Sequence, residues 1–349
     1  MTLLRGDKVG TRDGVPALSR DLANRAQLPV LRQQLEDRLA QLTSGQHAYN
    51  PYAGGYYIEP AEAQEVRDKL AALDSVEGVL DLGGRQLLVL DADSGEQLHA
   101  AVAVGDVDTA DHVSVFTPGF TTTVQDSLRG IDSDMANLRA RSQQELTRHG
   151  STDTVATVAW LGYDAPQWDG VVFPSRSVAS DDLARAGGGD LADFYAGING
   201  SRDEDPHLTA LGHSYGSTTT GFALQHEGTG VDDAVIFGSP GLGTDGREDL
   251  HVPDGHLYRV EARRDPVADL AAFSIDPTWL GGVDGLSAKD AEIDGESYRE
   301  STGHSAYLDD GTTSQHNLAV TVAGLPDRQV HDDGHGAGDV LTWWPEWMR

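Results

Sequence analysis

Apolar and polar positions along the chain fall into blocks whose period switches between that of a helix and that of a strand. From about Ala17 to Leu42, Leu35 and Leu39 stand four apart with charged residues between them. This predicts an amphipathic helix, or two helices broken near Pro29. Pro60 opens a second helix, roughly Ala61 to Leu73, with Val66, Leu70 and Leu73 on its buried stripe. Gln86 to Leu90 and Leu98 to Val104 flank an Asp-Ser-Gly turn and read as a β-hairpin. HVSVFTPGF reads as a strand ending at Pro118-Gly119, and Thr122 to His149 as a long helix with Leu128, Met135 and Leu138 inward. A strand over Thr154 to Leu161 follows, then a long connection that is helical near Leu191 to Ile198 and a strand over His207 to His213. A helix over Tyr215 to Gln225, strands near Ala234 to Phe237 and Leu257 to Glu261, and a final helix at His316 and beyond complete the series. Strands alternating with helices predict an α/β fold, a mostly parallel central sheet flanked by helices on both faces.

Charge narrows the partners. The 349 residues carry 25 Lys and Arg against 56 Asp and Glu, a formal net charge of -31. No nucleic acid is expected as partner, because binding a phosphate backbone draws on basic side chains. The acidic residues are dispersed, as on a highly solvated face; adaptation to high salt is the functional alternative. With no cysteine, disulfides and thiolate-bound metals are excluded. The opening segment lacks the apolar core of a signal peptide and no run approaches a membrane span. The expectation is a cytoplasmic or non-classically exported protein without integral membrane association.

The strongest chemical signal is LTALGHSYGSTTTGFAL, where Gly212-His213-Ser214-Tyr215-Gly216 falls at a predicted junction of strand and helix. Gly-x-Ser-x-Gly there is the pattern of a nucleophile elbow, in which small residues permit a strained serine at the head of a helix. This points to an α/β-hydrolase fold with Ser214 as nucleophile. A phosphate-binding loop is disfavoured, since its glycine spacing and lysine are missing. The serine needs a base, and its oxyanion needs fixed donors. Tyr215 N–H is one candidate donor. The second is Phe120 N–H in the Thr117-Pro118-Gly119-Phe120 turn, with Thr121 N–H as alternative.

Chain order in this fold is nucleophile, acid, histidine. Asp265 is the first acid after Ser214 that follows a strand, and Pro266 keeps it out of the helical region. Asp269 and Asp276 are alternatives. His304, in a loop after Ser-Thr-Gly, is the expected base; His316 is the alternative, better suited to helix capping. His213 adjoins the serine but points along the strand in another direction. His331 and His335 sit among Asp332, Asp333 and glycines and read as a polar tail rather than a metal site; Trp343, Trp344 and Trp347 read as a packed anchor. No metal or dissociable cofactor is expected.

DGVPALSRDLANRAQL, FTPGF, GHSYGSTTTG, RRDPVA and GHSAYLDD together resemble an actinobacterial α/β-hydrolase family of unassigned function, domain of unknown function 1023. The resemblance extends from about Gly14 past Asp310, and it implies Ser214 as nucleophile, Asp265 as acid and His304 as base. The expected organisation is a helical N-terminal extension over 1–80 packed on the core and a catalytic domain over 81–325. Residues 163–206 are long enough for a lid, and 326–349 form a tail or anchor. Trp168, Phe173 and Tyr195 in that connection line an acyl pocket or anchor the core. The expected reaction is serine-dependent hydrolysis of a carboxylic ester, with a small molecule or lipid as substrate. Amide or peptide hydrolysis, acyl transfer and a non-catalytic binding module on a hydrolase scaffold are the competitors.

Overall fold

The computed structural model describes residues 10, 12–44, 60–167, 180–268 and 272–332. The strands are β1 (Arg85–Asp91), β2 (His99–Val104), β3 (His112–Thr117), β4 (Val155–Leu161), β5 (His207–His213), β6 (Asp233–Phe237), β7 (Leu257–Val260) and β8 (Asp284–Leu286). They form one sheet in the order β1-β2-β4-β3-β5-β6-β7-β8. The β1–β2 and β2–β4 pairs are antiparallel and every later pair is parallel. The helices are α1 (Ala17–Ser44), α2 (Ala61–Leu80), α3 (Val124–Arg148), α4 (Asp182–Gly200), α5 (Tyr215–Leu224) and α6 (Thr313–Val322).

Strands β2, β3, β4 and β6 are buried at every position, as a sheet covered on both faces requires. Along β2, Ala100, Val102 and Val104 enter one core with Leu128, Met135 and Leu138 of α3, while Ala101 and Ala103 enter the other with Leu191 of α4 and Phe222 of α5. This is the α/β-hydrolase fold.

The structure departs from the sequence pattern in three helices. Helix α1 runs through Pro29 unbroken, and its most buried face is polar: Arg20, Asp21 and Asn24 are buried, while Leu18, Leu22 and Val30 are exposed. Those polar side chains serve the open edge of β1. Asp21 accepts Leu87 N–H at 2.7 Å, Asn24 donates to Leu87 O and Arg20 to Leu88 O, both at 2.8 Å, and Arg25 donates to Arg85 O at 2.8 Å. Side chains thus replace a neighbouring strand and close an edge that would otherwise pair with another chain. Helix α2 continues to Leu80, so burial shifts to Val76, Val79 and Leu80 and leaves Leu70 half-buried.

Helix α4 begins at Asp182, well before the predicted start, and passes through Gly187-Gly188-Gly189. Three glycines cost about 3 kcal/mol of helix propensity relative to alanine, which hides the helix from a sequence reading. Two of them are explained by packing. A Cβ at Gly187 would lie 2.6 Å from Tyr163 Cβ, and one at Gly188 would lie 2.5 Å from Phe222 Cβ. The sequence also did not predict β8 or the separate hairpin β9 (Ala291–Ile293) and β10 (Glu296–Tyr298). Three residues are too few to show a period of two.

Asp134 on α3 carries a carboxyl pushed up to about 6, first by burial and then by the neighbouring charge of Asp309. For an acid raised in the folded state, the stability contribution is present below its ordinary pKa and lost as pH rises through about 6. Asp134→Asn is therefore expected to stabilise the protein at pH 7 by about 1 kcal/mol, allowing for solvent screening, and to leave it unchanged near pH 4. Thermal melts at both pH values check this; an equal change at each would show that charge is not the cause.

Candidate active site

Ser214 is the single residue between the end of β5 and the start of α5, at φ 55° and ψ -134°. This sparsely populated backbone conformation is held from several sides. Ser214 N–H donates to Phe237 O at 3.1 Å, and its carbonyl accepts Ser217 N–H at 2.9 Å and Ser217 Oγ–H at 2.6 Å. The flanking glycines have physical reasons. A Cβ at Gly212 would lie 2.7 Å from Ser217 Cα, and one at Gly216 would lie 2.2 Å from Thr117 O and 2.4 Å from Pro118 O.

The loop between β10 and α6 brings His304 over this turn. His304 Nε2 lies 2.8 Å from Ser214 Oγ, and its Nδ1 lies 2.9 Å from each oxygen of Asp265, which stands in the loop after β7. The network sets the tautomer: Nδ1–H donates to the carboxylate, and Nε2 accepts from the serine hydroxyl. The Asp265 side chain is fully buried. Burial pushes its carboxyl up, but hydrogen bonds from His304 and Tyr307, the His304 charge and Val267 N–H outweigh that, so it sits below the ordinary carboxylate range.

The alternatives lie elsewhere. Asp276 accepts Thr278 N–H at 2.7 Å in its own turn, and Asp269 is outside the described residues. His316 is buried within α6 and its Nε2 donates to Arg328 O at 3.0 Å. It does not cap its helix; the Thr312 side chain does, accepting Gln315 N–H, because the N-cap residue must precede the first helical turn. His213 is turned away from Ser214, and its Nε2–H donates to His304 O at 2.8 Å. Burial, then the neighbouring His304, pushes it down to about 4, which keeps this imidazole neutral.

The turn after β3 passes directly over Ser214. A Cβ at Gly119 would lie 2.7 Å from Ser214 Cβ and 2.8 Å from Tyr215 N. Tyr163 OH donates to Pro118 O at 2.7 Å, and Gly119 O accepts Thr122 N–H at 3.3 Å. In a trans peptide the amide points opposite to the carbonyl, so Phe120 N–H is directed away from Thr122. Thr121 N–H, the alternative donor, donates to Pro166 O at 2.9 Å. Tyr215 N–H belongs to the first turn of α5, where helix amides lack intrahelical acceptors.

Tyr195 is fully buried in the α4 side of the core beside Phe194, so its place is the core rather than a pocket wall. Trp168 and Phe173 lie outside the described residues, as do His335, Trp343, Trp344 and Trp347 and part of the 163–206 connection. His331 forms an isolated bridge with Leu286. Among the described residues, no group of three or more His, Asp or Glu is placed to hold a metal, and no helix is long and apolar enough to cross a membrane. A cleft of about 820 Å³ opens at the far end of β5, lined by His207, Asp232, Arg247 and His251, and does not include Ser214. The sequence reading missed Tyr307 and Tyr163. The one available signal was the position of Tyr307, three residues after His304 in GHSAYLDD.

Ser214 at its strained strand-to-helix junction is thus met by His304, and His304 by the buried Asp265, both from later loops. The alpha/beta hydrolase family matches residues 93–275, and the chain belongs to it. An uncharacterized protein of Mycobacterium tuberculosis is 38% identical over 229 residues, covering 63% of this chain and 84% of the relative; an uncharacterized Mycobacterium bovis protein aligns equally well. A second uncharacterized M. tuberculosis protein is 34% identical over 196 residues, 55% of this chain and 27% of that one. Among solved structures, an esterase from Pyrobaculum calidifontis is similar at 13% identity and a TM-score of 0.41, covering 85% of this chain and 98% of that one.

Proposed function

We propose that this protein is a serine hydrolase that cleaves carboxylic esters through an acyl-enzyme. The contact that carries the reading is the 2.8 Å approach of His304 Nε2 to Ser214 Oγ, with Asp265 on the far side of the imidazole. His304 takes the hydroxyl proton as Ser214 attacks the ester carbonyl, and the imidazolium that forms is stabilised by the Asp265 carboxylate. Tyr215 N–H and Phe120 N–H stabilise the tetrahedral oxyanion. His304 then protonates the departing alkoxide, and water activated by the same imidazole releases the acid and restores Ser214. No cofactor takes part in these steps.

Within the family, we assign the chain to the actinobacterial group of domain of unknown function 1023, on FTPGF, GHSYGSTTTG, RRDPVA and GHSAYLDD and on its similarity to mycobacterial proteins. We also read residues 81–325 as the catalytic domain, with α1 and α2 as an N-terminal extension packed on it.

A fluorophosphonate probe, followed by peptide mass mapping, tests the nucleophile, alongside a chain-length series of p-nitrophenyl esters. One adduct on Ser214, and loss of ester turnover in step with labelling, is the expected result. Folded protein that neither labels at Ser214 nor turns over any ester would return the chain to a non-catalytic scaffold.

A further inference from the structure

The Asp265 carboxylate has more partners than the orientation of one imidazole requires. Besides His304 Nδ1, it accepts Val267 N–H on Oδ1 at 2.9 Å and Tyr307 OH on Oδ2 at 2.6 Å. Tyr307 is 1% exposed, and its ring lies 5.4 Å from Phe237 and 5.7 Å from His213. Its oxygen also accepts Ala262 N–H at 2.9 Å. A phenol has one hydrogen, and the amide occupies an acceptor site, so that hydrogen is committed to Asp265. Burial, then the facing carboxylate, pushes the phenol pKa well up, so Tyr307 remains a donor throughout the working range. His304 and Tyr307 come from one loop, which therefore grips the acid twice.

We propose that Tyr307 is a positioning residue that fixes the Asp265 carboxylate and draws negative charge away from its His304 side, so setting the pH at which the Ser214–His304 pair becomes active. The proposal rests on the serine-hydrolase reading above. A carboxylate that accepts a short hydrogen bond at one oxygen stabilises a neighbouring imidazolium less. Removing the phenol hydrogen thus has two separable effects. The imidazolium is held more strongly, which moves the acidic limb of kcat/KM to higher pH; the acid loses an anchor, which lowers kcat without weakening substrate binding. Among the described residues, titratable groups near the pair include His213, neutral in this range, and Glu261, which accepts from Thr278 Oγ1 at 3.2 Å and lies 3.8 Å from Arg259.

Tyr307→Phe keeps the ring and removes the donor. On a p-nitrophenyl ester it is expected to lower kcat about tenfold, hold KM within about twofold and raise the acidic limb by about half a pH unit. Fluorotyrosine placed at 307 alone keeps the shape and donates more strongly, so the limb is expected to move the opposite way; this variant covers the case in which phenylalanine destabilises the fold. In an Asp265→Asn background, Tyr307→Phe is expected to move neither the limb nor kcat further. The low-field Nδ1–H proton resonance of His304, identified by its loss in His304→Gln, is expected to shift in Tyr307→Phe and can be read without any substrate. An unmoved resonance and an unmoved limb in folded variants would overturn the role of Tyr307. Full turnover in Ser214→Ala would instead overturn the hydrolase reading, leaving the resonance to decide on Tyr307.

Discussion

Removing the Ser214 hydroxyl or the His304 imidazole is expected to cut kcat by about 10⁶-fold, and removing both to cost no more than either alone. The reason lies in the geometry. In the proposed mechanism Ser214 Oγ and His304 Nε2, 2.8 Å apart, exchange one proton, so neither group performs its step without the other. What survives in each variant is the contribution of backbone donors and substrate positioning, roughly 10³- to 10⁴-fold over water. Rates for Ser214→Ala, His304→Ala and the double variant on one ester, with circular dichroism in parallel, give the comparison. Losses that multiply in the double variant would mean that the two side chains act independently, and the shared-proton mechanism would fall.

A methyl group at position 216 should also be damaging, although Gly216 carries no reactive atom. Its added Cβ would meet the carbonyl oxygens of Thr117 and Pro118 at 2.2 and 2.4 Å, and these are backbone atoms of the turn that presents Phe120. No flexible side chain can yield, so the turn itself has to move. Gly216→Ala is expected to lower kcat by about 10²- to 10³-fold with little change in KM, the signature of a lost oxyanion donor. The overpacking itself should destabilise the fold by about 1–3 kcal/mol. Gly189→Ala makes a matched control, because nothing lies within 4 Å of its added Cβ. It should leave activity intact and stabilise α4 by about 1 kcal/mol. Wild-type kcat in Gly216→Ala would detach the turn after β3 from the chemistry.

How far the site could be read from sequence depended on whether its signals were local. The junction at Ser214 was legible because a strand period, two glycines and a helix-compatible run occur within seventeen residues of each other, LTALGHSYGSTTTGFAL. Asp265 and His304 could be named from chain order and loop context, but their meeting depends on the order of β5, β6 and β7 in the sheet, which no local pattern contains. Tyr307 escaped notice because a tyrosine near an apolar segment looks like core until its hydroxyl is placed against a carboxylate. The same limit explains α1: an Arg, an Asp and an Asn on a helix read as a solvent face, and only the unpaired edge of β1 turns them inward. Pro29 is exposed, and the helix runs through it although a proline locally favours a break.

The glycine-rich turn of α4 ties distant positions into a shared constraint on substitution. Gly187 abuts Tyr163 and Gly188 abuts Phe222 and the amide of Ala223. Positions 187 and 163 therefore do not vary independently: bulk gained on the helix has to be surrendered on the segment after β4. Position 188 has less freedom still, since part of what it faces is main chain that no neighbouring substitution can shrink. Tyr163 is in turn the residue whose hydroxyl donates to Pro118 O beside Ser214. Sequence drift in α4 thus reaches the turn after β3 through one tyrosine, and the absence of a side chain at 187 is what leaves that tyrosine room to stay.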